Sequence, residues 1–363
     1  MFRRIVRASL FLASLLALAA TAQLATQPRA MDWVEATALT HATAFARGTP
    51  AYTEPAVQGA PAMMPGLPLL IAPLVAAAGP EPWQPRAIAL ASLAVLAVLV
   101  LLAVRLETAS WTLAVTSVGF LAFGIDLVCA PPGLALPELV MLPFVLGGVL
   151  ALRLSDDYGG PLLGGLLFAL AFFVSPQAEW FAFAALLALA LDDPRRLLVF
   201  TLTHGLLVGG TYVLLWRTWG PWFAFGAWGS PLGSVELNPA GPLLYVGGEL
   251  LGKLGVLTIA AVLSFALPTA PWRGKGGLWT CMALAAFAQG LVATQVRGAA
   301  AGLFVPSVAA LAVLGPVAMQ RVLGHLSAWP GSDRMSGQGV VLTALTLQFV
   351  MFFADSLRLV GAQ

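Results

Sequence analysis

The chain has 363 residues, 60% of them hydrophobic and 9% charged, and a mean hydropathy of +0.90. Soluble domains carry about a quarter charged residues, so a soluble globule is excluded, as are a disordered chain and a nucleic-acid binder. The 18 Lys and Arg against 16 Asp and Glu leave +2, too even a balance to select an acidic partner.

Arg3, Arg4 and Arg7 precede an apolar run from Ala8 to about Leu24. Ala20-Thr21-Ala22 has the small residues of a cleavage site, but the length of the run favours an uncleaved first spanning helix over residues 1–25. The basic end then stays in the cytoplasm. A polar stretch from Thr26 to Pro61 follows. Apolar segments come next, near 63–78, 86–104, 110–128, 138–153, 161–175, 178–191, 197–216, 241–267, 278–296, 302–322 and 340–360. The expected fold is all-α, a polytopic transmembrane bundle of about eleven spans. Segment 63–78 is broken by Pro65, Pro68 and Pro73, which suits a non-spanning element. If it does not cross, Arg105, Arg153, Arg195, Arg196, Arg273, Lys275, Arg321 and Arg334 all face the cytoplasm. The organisation expected is a first helix over 1–25, an outer loop over 26–85 with interfacial helices, and a helical bundle over 86–363. In a bacterium this is a multi-pass inner-membrane protein whose working surface is the periplasmic loop.

Chemistry-bearing groups are sparse. Cys129 and Cys281 lie far apart with no CxxC pair, and no His, Asp and Glu have metal-ligand spacing. No cofactor is called for, although a divalent metal held by distant acids would be compatible. No phosphate-binding Gly-Lys loop occurs, which disfavours an ATP-driven pump. Matching broken helices and buried acid relays, the marks of a secondary transporter, are also missing. Glu249 and Lys253 stand at i,i+4 and are expected to pair, with a phosphate contact by Lys253 as the functional alternative. His204 is expected in the cytoplasmic half of its helix as a packed side chain. The Trp-rich stretch around Trp216, Trp219 and Trp222 reads first as an interfacial belt and second as a sugar-stacking surface.

The outer loop runs Asp32-Trp-Val-Glu35, then His41, then Arg47-Gly48-Thr-Pro50-Ala-Tyr52-Thr-Glu54-Pro55, and Met64-Pro65-Gly66-Leu67-Pro68 after it. It resembles the first periplasmic loop of the GT-C superfamily of polyprenyl-phosphate-sugar-dependent glycosyltransferases, which includes the protein O-mannosyltransferases and the lipid A aminoarabinose transferases. Bacterial members commonly show an acid, a short helix, a Gly-x-Pro-x-Tyr turn and a Pro-Leu-rich return. Weaker likenesses continue at Pro137-Glu138-Leu139, Ser175-Pro176-Gln177, Gly220-Pro-Trp222-Phe223 and Arg297 to Pro306. Departures accompany them. Gly302 stands where members carry Asn, Pro176 where they carry Lys, and Met64 to Pro68 replaces a Tyr-x-Pro-Leu-Tyr segment.

The resemblance implies transfer of a sugar from a polyprenyl phosphate to an acceptor hydroxyl on the periplasmic side, with inversion. It makes Glu35 the expected general base, with Asp32 either a competing acid or an N-cap. Arg297, Lys253 and Arg86 are the candidate phosphate ligands. Glu138, His41, Tyr52 and Trp222 are candidate substrate contacts, although His41 by itself reads more simply as a surface histidine. The partners implied are the bilayer, the polyprenyl-phosphate lipid and, for a silent relative, other proteins of a membrane complex. Catalysis predicts Glu35 and Arg297 facing one open cavity. A catalytically silent accessory subunit predicts that space filled by Met63, Met64 and Leu67.

Overall fold

The structure, a computed structural model, describes residues 10–12, 14–15, 19, 31–54, 63–128, 136–225, 235–266, 275–295, 304–326 and 343–352. Their regular structure is helical. Helix α1 (Trp33–Arg47) begins where the Asp32 side chain accepts from the Val34 N–H, the usual work of an N-cap aspartate. It ends at Gly48, whose φ of 65° lets its N–H close back on the Ala44 and Phe45 carbonyls, a geometry that favours glycine. Helix α2 (Gly66–Ala78) packs on α1. Its 13 residues rise about 20 Å, short of a hydrocarbon core of about 30 Å. It starts hard against the polypeptide at Phe173: a Cβ on Gly66 would lie 2.5 Å from the Phe173 carbonyl oxygen.

Helix α3 (Trp83–Thr108) has 26 residues, long enough to cross. Leu93, Leu96, Val100 and Val104 form its buried stripe, while Val95, Val98 and Leu102 face outward. Outward aliphatic side chains are what lipid solvent allows. The remaining helices are α4 (Trp111–Val128), α5 (Pro137–Leu154), α6 (Gly159–Val174), α7 (Ala178–Asp192), α8 (Pro194–Trp219), the short α9 (Pro221–Ala224) and α10 (Gly241–Leu244), α11 (Leu254–Ala266), α12 (Lys275–Ala293), α13 (Val305–Leu326) and α14 (Thr343–Phe352). Among the described residues, five helical runs are long and apolar enough to cross a membrane: α3, α5, α8, Gly241–Leu263 and the first 18 residues of α13. Helices α6 and α7, of 16 and 15 residues, are shorter than a usual span and pack against α5 and α8.

One widening breaks the regular pattern. Tyr245–Lys253 is a π-helix joining α10 to α11. Gly247, Gly248 and Gly252 weaken the ordinary helix there, and the Tyr245 hydroxyl is tied to Ser307 Oγ at 2.7 Å. Nothing in the apolar run 241–267 announces this wider turn.

Bonds between helices sort the two ends of the bundle. At one end, Arg153 Nε donates to Glu107 Oε1 at 2.7 Å, and Arg196 donates to the carbonyls of Leu152 and Ser155 at 2.6 and 2.8 Å. Gln320 donates to the Thr108 carbonyl there as well. The Arg196 contacts place a cation on the C-terminal carbonyls of α5, where the helix dipole favours it. Arg105, Arg153, Arg195 and Arg196 therefore belong to one end, and α1, α2 and the first turns of α3, α5 and α7 to the other.

Candidate functional site

Glu35 sits in the first turn of α1 and is 0% exposed. Arg86, in the first turn of α3, closes on it with two nitrogens. Its Nε donates to both carboxylate oxygens at 3.2 Å, and its Nη2 donates to Oε2 at 2.9 Å. A planar guanidinium fork suits a carboxylate in this way. The pair crosses 51 positions of sequence. The expected base and one expected phosphate ligand are thus each other's partner.

Both members of the pair are buried. Met64 and Leu67 are buried, 5% and 0% exposed. Tyr52 is buried beside them. Its hydroxyl donates to the Met63 carbonyl at 2.8 Å, and burial pushes the phenol above its usual range. Its ring stacks on Trp219 at 5.0 Å and meets Phe223 edge-on at 5.3 Å. The aromatic stretch after α8 thus supports the first loop from below. Trp222 is half-buried next to it, edge to face with Phe225.

His41 departs from the surface reading: it is buried, with its ring 5.3 Å from that of Tyr52. Val34, Glu35, Thr37, Ala38, His41 and Ala42 together form one broad buried face of α1, so a six-residue separation does not keep Glu35 and His41 on different sides. Asp32 is the N-cap. Lys253 pairs with Glu249 at 2.7 Å inside the π-helix. Arg297 lies outside the described residues.

Glu138, in the first turn of α5, is 7% exposed and accepts from Gln177 Nε2 at 3.1 Å. Gln177 Oε1 in turn accepts from Gln289 Nε2 of α12 at 2.5 Å. Gln289 was not singled out from sequence, since a lone amide in an apolar run carries no motif. His204 is buried about 15 Å along α8, in the half that starts at Pro194, with Nε2 3.1 Å from Glu179 Oε1 in the first turn of α7. Between α3, α5, α7, α12 and α13 runs a small crevice of about 50 Å³ whose lining is almost wholly apolar, from Leu142 and Phe181 to Trp279 and Val313. Among the described residues no group of three His, Cys, Asp or Glu gathers to hold a metal ion.

No family model matches the chain, and no curated protein matches it. Solved structures do. ArnT from Cupriavidus metallidurans bound to undecaprenyl phosphate aligns with a TM-score of 0.63 at 12% identity, over 96% of this chain and 71% of that one. The fold is GT-C-like. The same ArnT in the apo state aligns with a TM-score of 0.59 at 13% identity, over 94% of this chain and 75% of that one. The fold likeness extends over nearly the whole chain, and the five long apolar helical runs among the described residues are those of a multi-pass membrane protein.

Proposed function

We propose that the protein binds a polyprenyl-phosphate-linked sugar at the outer membrane face and transfers the sugar to an acceptor hydroxyl. The observation that carries this reading is the buried Glu35–Arg86 pair, set in a fold shared with ArnT, whose structure holds undecaprenyl phosphate. The acceptor oxygen attacks the anomeric carbon as the bond from that carbon to the phosphate oxygen breaks. The acceptor proton passes to Glu35 and the lipid phosphate leaves as an anion.

The geometry adds a condition. Arg86 donates to both oxygens of Glu35, so the carboxylate is engaged by a cation where an acceptor hydroxyl would have to reach it. A phosphate is an equally good partner for a guanidinium. An arriving lipid phosphate therefore competes for Arg86, and its binding exposes Glu35. Anion capture and activation of the base become one event, and Glu35 stays closed until the donor is present.

A second reading has its own observation. Glu35 is fully buried, and Met64 and Leu67 are buried as well, which is the closure expected of a silent relative serving a membrane complex. The two are separated with Glu35→Gln and Arg86→Gln in the full chain, reconstituted in vesicles and titrated with undecaprenyl phosphate. The enzyme reading expects Glu35→Gln to bind the lipid at least as tightly as wild type, because Arg86 is released. It also expects transfer to fall by about two to four orders of magnitude. Arg86→Gln should lose lipid binding. Undiminished binding in Arg86→Gln removes Arg86 from the site. Binding without transfer in the wild type, from every polyprenyl-phosphate sugar offered, selects the silent relative.

A further inference from the structure

At the end of the bundle where α3 finishes, Arg153 is neutralised by Glu107 and Arg196 is spent on two carbonyls. Arg105, in the last turn of α3, is treated differently. Among the described residues its side chain has no carboxylate within reach and makes no hydrogen bond. Its guanidinium carbon lies 5.2 Å from the centroid of the Trp111 ring, a cation–π contact that uses no N–H. Nη1 is sealed away without an acceptor, whereas Nε and Nη2 are not sealed and reach the surface. The turn brings the ring there. Helix α3 stops at Ala109, whose φ of 53° is the only positive value at a residue other than glycine among those described, a conformation that a side chain disfavours. Its N–H closes on the Arg105 carbonyl at 2.9 Å, and Ser110 Oγ accepts from the Leu113 N–H at 3.3 Å, so α4 starts at once and returns Trp111 to Arg105. Val98 and Leu102 precede Arg105 by seven and three residues and share its helix face. Both are exposed, as are Leu106 and Trp111.

We propose that Arg105 and Trp111 form a binding site for an anionic phospholipid of the adjoining leaflet: its phosphate accepts from Nε and Nη2 of Arg105 while an acyl chain lies along Leu102 and Val98. The occupant's chemistry follows from the groups that meet it. A guanidinium offers a fork of N–H donors that matches two phosphate oxygens. A cation held at the edge of a low-dielectric layer without a carboxylate needs its counter-charge from outside the chain. The Trp111 ring holds the guanidinium in place beforehand, so less side-chain freedom is lost when the phosphate arrives. A head with net negative charge is favoured over a zwitterionic one, whose own ammonium group competes for the phosphate and is repelled by the arginine. The aliphatic face selects a lipid over a soluble phosphate, since only a lipid covers Leu102 and Val98 as it binds. Arg195 lies at the same end and also lacks a carboxylate partner among the described residues, but no aromatic ring stands over it there. Nineteen residues separate Arg86 from Arg105, a rise of about 28 Å along α3, so this site is independent of the one at Glu35 and of the reaction proposed for it.

The test uses the full chain in phosphatidylcholine nanodiscs that carry a small fraction of phosphatidylglycerol with a diazirine on its acyl chain close to the glycerol. Photolysis should place adducts on Val98, Leu102 or Leu106. Unlabelled phosphatidylglycerol should displace the probe, and neither added phosphatidylcholine nor glycerol 3-phosphate should. Arg105→Gln should lower labelling by about tenfold. Arg105→Lys keeps the charge but not the fork, and should lower it less. Trp111→Leu should lower it by about threefold, and it stands in for Arg105→Gln if that variant fails to fold. Arg195→Gln removes an arginine from the same end and should leave the adducts unchanged. Displacement by phosphatidylcholine as strong as by phosphatidylglycerol, adducts that survive Arg105→Gln, or an equal loss in Arg195→Gln would each overturn the proposal. Full displacement by glycerol 3-phosphate would also overturn it, because the ligand would then be a soluble phosphate.

Discussion

The two ends of α3 each carry a glutamate–arginine pair, and they are built to different standards. Arg86 in the first turn meets Glu35 with two nitrogens, and both residues are withdrawn from solvent. Glu107 in the last turn meets Arg153 through one nitrogen, shares its oxygen with Trp279, and leaves the arginine side chain 20% exposed. The first pair joins a loop helix to the bundle, and the second joins three helices within it. Burial raises the cost of breaking a pair faster than it raises the worth of keeping it, since the orphaned charge is what costs. An end that needs a charge to be released on demand is better served by a pair whose exchange partner is another anion.

The largest expected effect tests that contrast. Arg86→Ala strands a buried carboxylate and should lower stability by about 3–5 kcal/mol, read as the thermal unfolding midpoint in detergent. Glu35→Leu with Arg86→Leu should recover most of this. Glu107→Gln should cost less, about 1.5–3 kcal/mol, because its amide oxygen can still accept from the Trp279 indole. A larger loss at Glu107 than at Arg86 would reverse the comparison. Gly66→Ala sharpens it from the side, because a Cβ must displace the backbone at Phe173. About 1–3 kcal/mol is expected, with α2 tilting off α6 and loosening the cover over Glu35.

Tyr52→Phe removes a buried hydroxyl and its carbonyl partner's donor, costing about 1 kcal/mol. The pH response has a definite sign. Burial raises the phenol, so its contribution is complete below the ordinary value of 10.0 and is lost as pH rises through the folded value. Alkaline unfolding should be blunted in Tyr52→Phe, and an unchanged alkaline limb would put the tyrosine in contact with water. The smallest effect belongs to Asp157, fully exposed between α5 and α6. The Ser155 hydroxyl and the Gly159 amide hold its carboxyl below the ordinary 3.8. Its contribution is present above 3.8 and lost as pH falls through the lowered value. Asp157→Asn should shift only the acid end of an unfolding curve.

Much of the helical layout was readable from hydropathy. The run 86–104 became α3 and 138–153 became α5, because lipid-facing and core-facing positions are both apolar and the segment stands out whole. The loop was readable through Gly48 and Tyr52, where a left-handed cap and a buried ring leave marks on residue type. Pairing was not readable. Glu35 and Arg86 are 51 residues apart, and a single arginine at a helix start looks the same whether it faces a phosphate or a carboxylate. His41 was misjudged because a polar residue among alanines suggests solvent until the helix is seen to be covered on that side. Gln289 was invisible for the opposite reason, since one amide barely changes a window of apolar residues. The π-turn at Tyr245–Lys253 depends on an anchor at Ser307, a partner that local sequence does not contain.

Twenty-one residues separate Arg86 from Glu107, a helical rise of about 31 Å, close to the thickness of a bilayer's hydrocarbon layer. A helix with an ion pair bolted at either end cannot slide along its axis or trade one end for the other. In a thinner membrane α3 must lean, and in a thicker one the lipid around it must compress, each at a cost that grows with every ångström of mismatch. The paired charges therefore act as a gauge. They set the membrane thickness in which the loop helix sits level with the bilayer surface, and they tie the protein to membranes of that thickness.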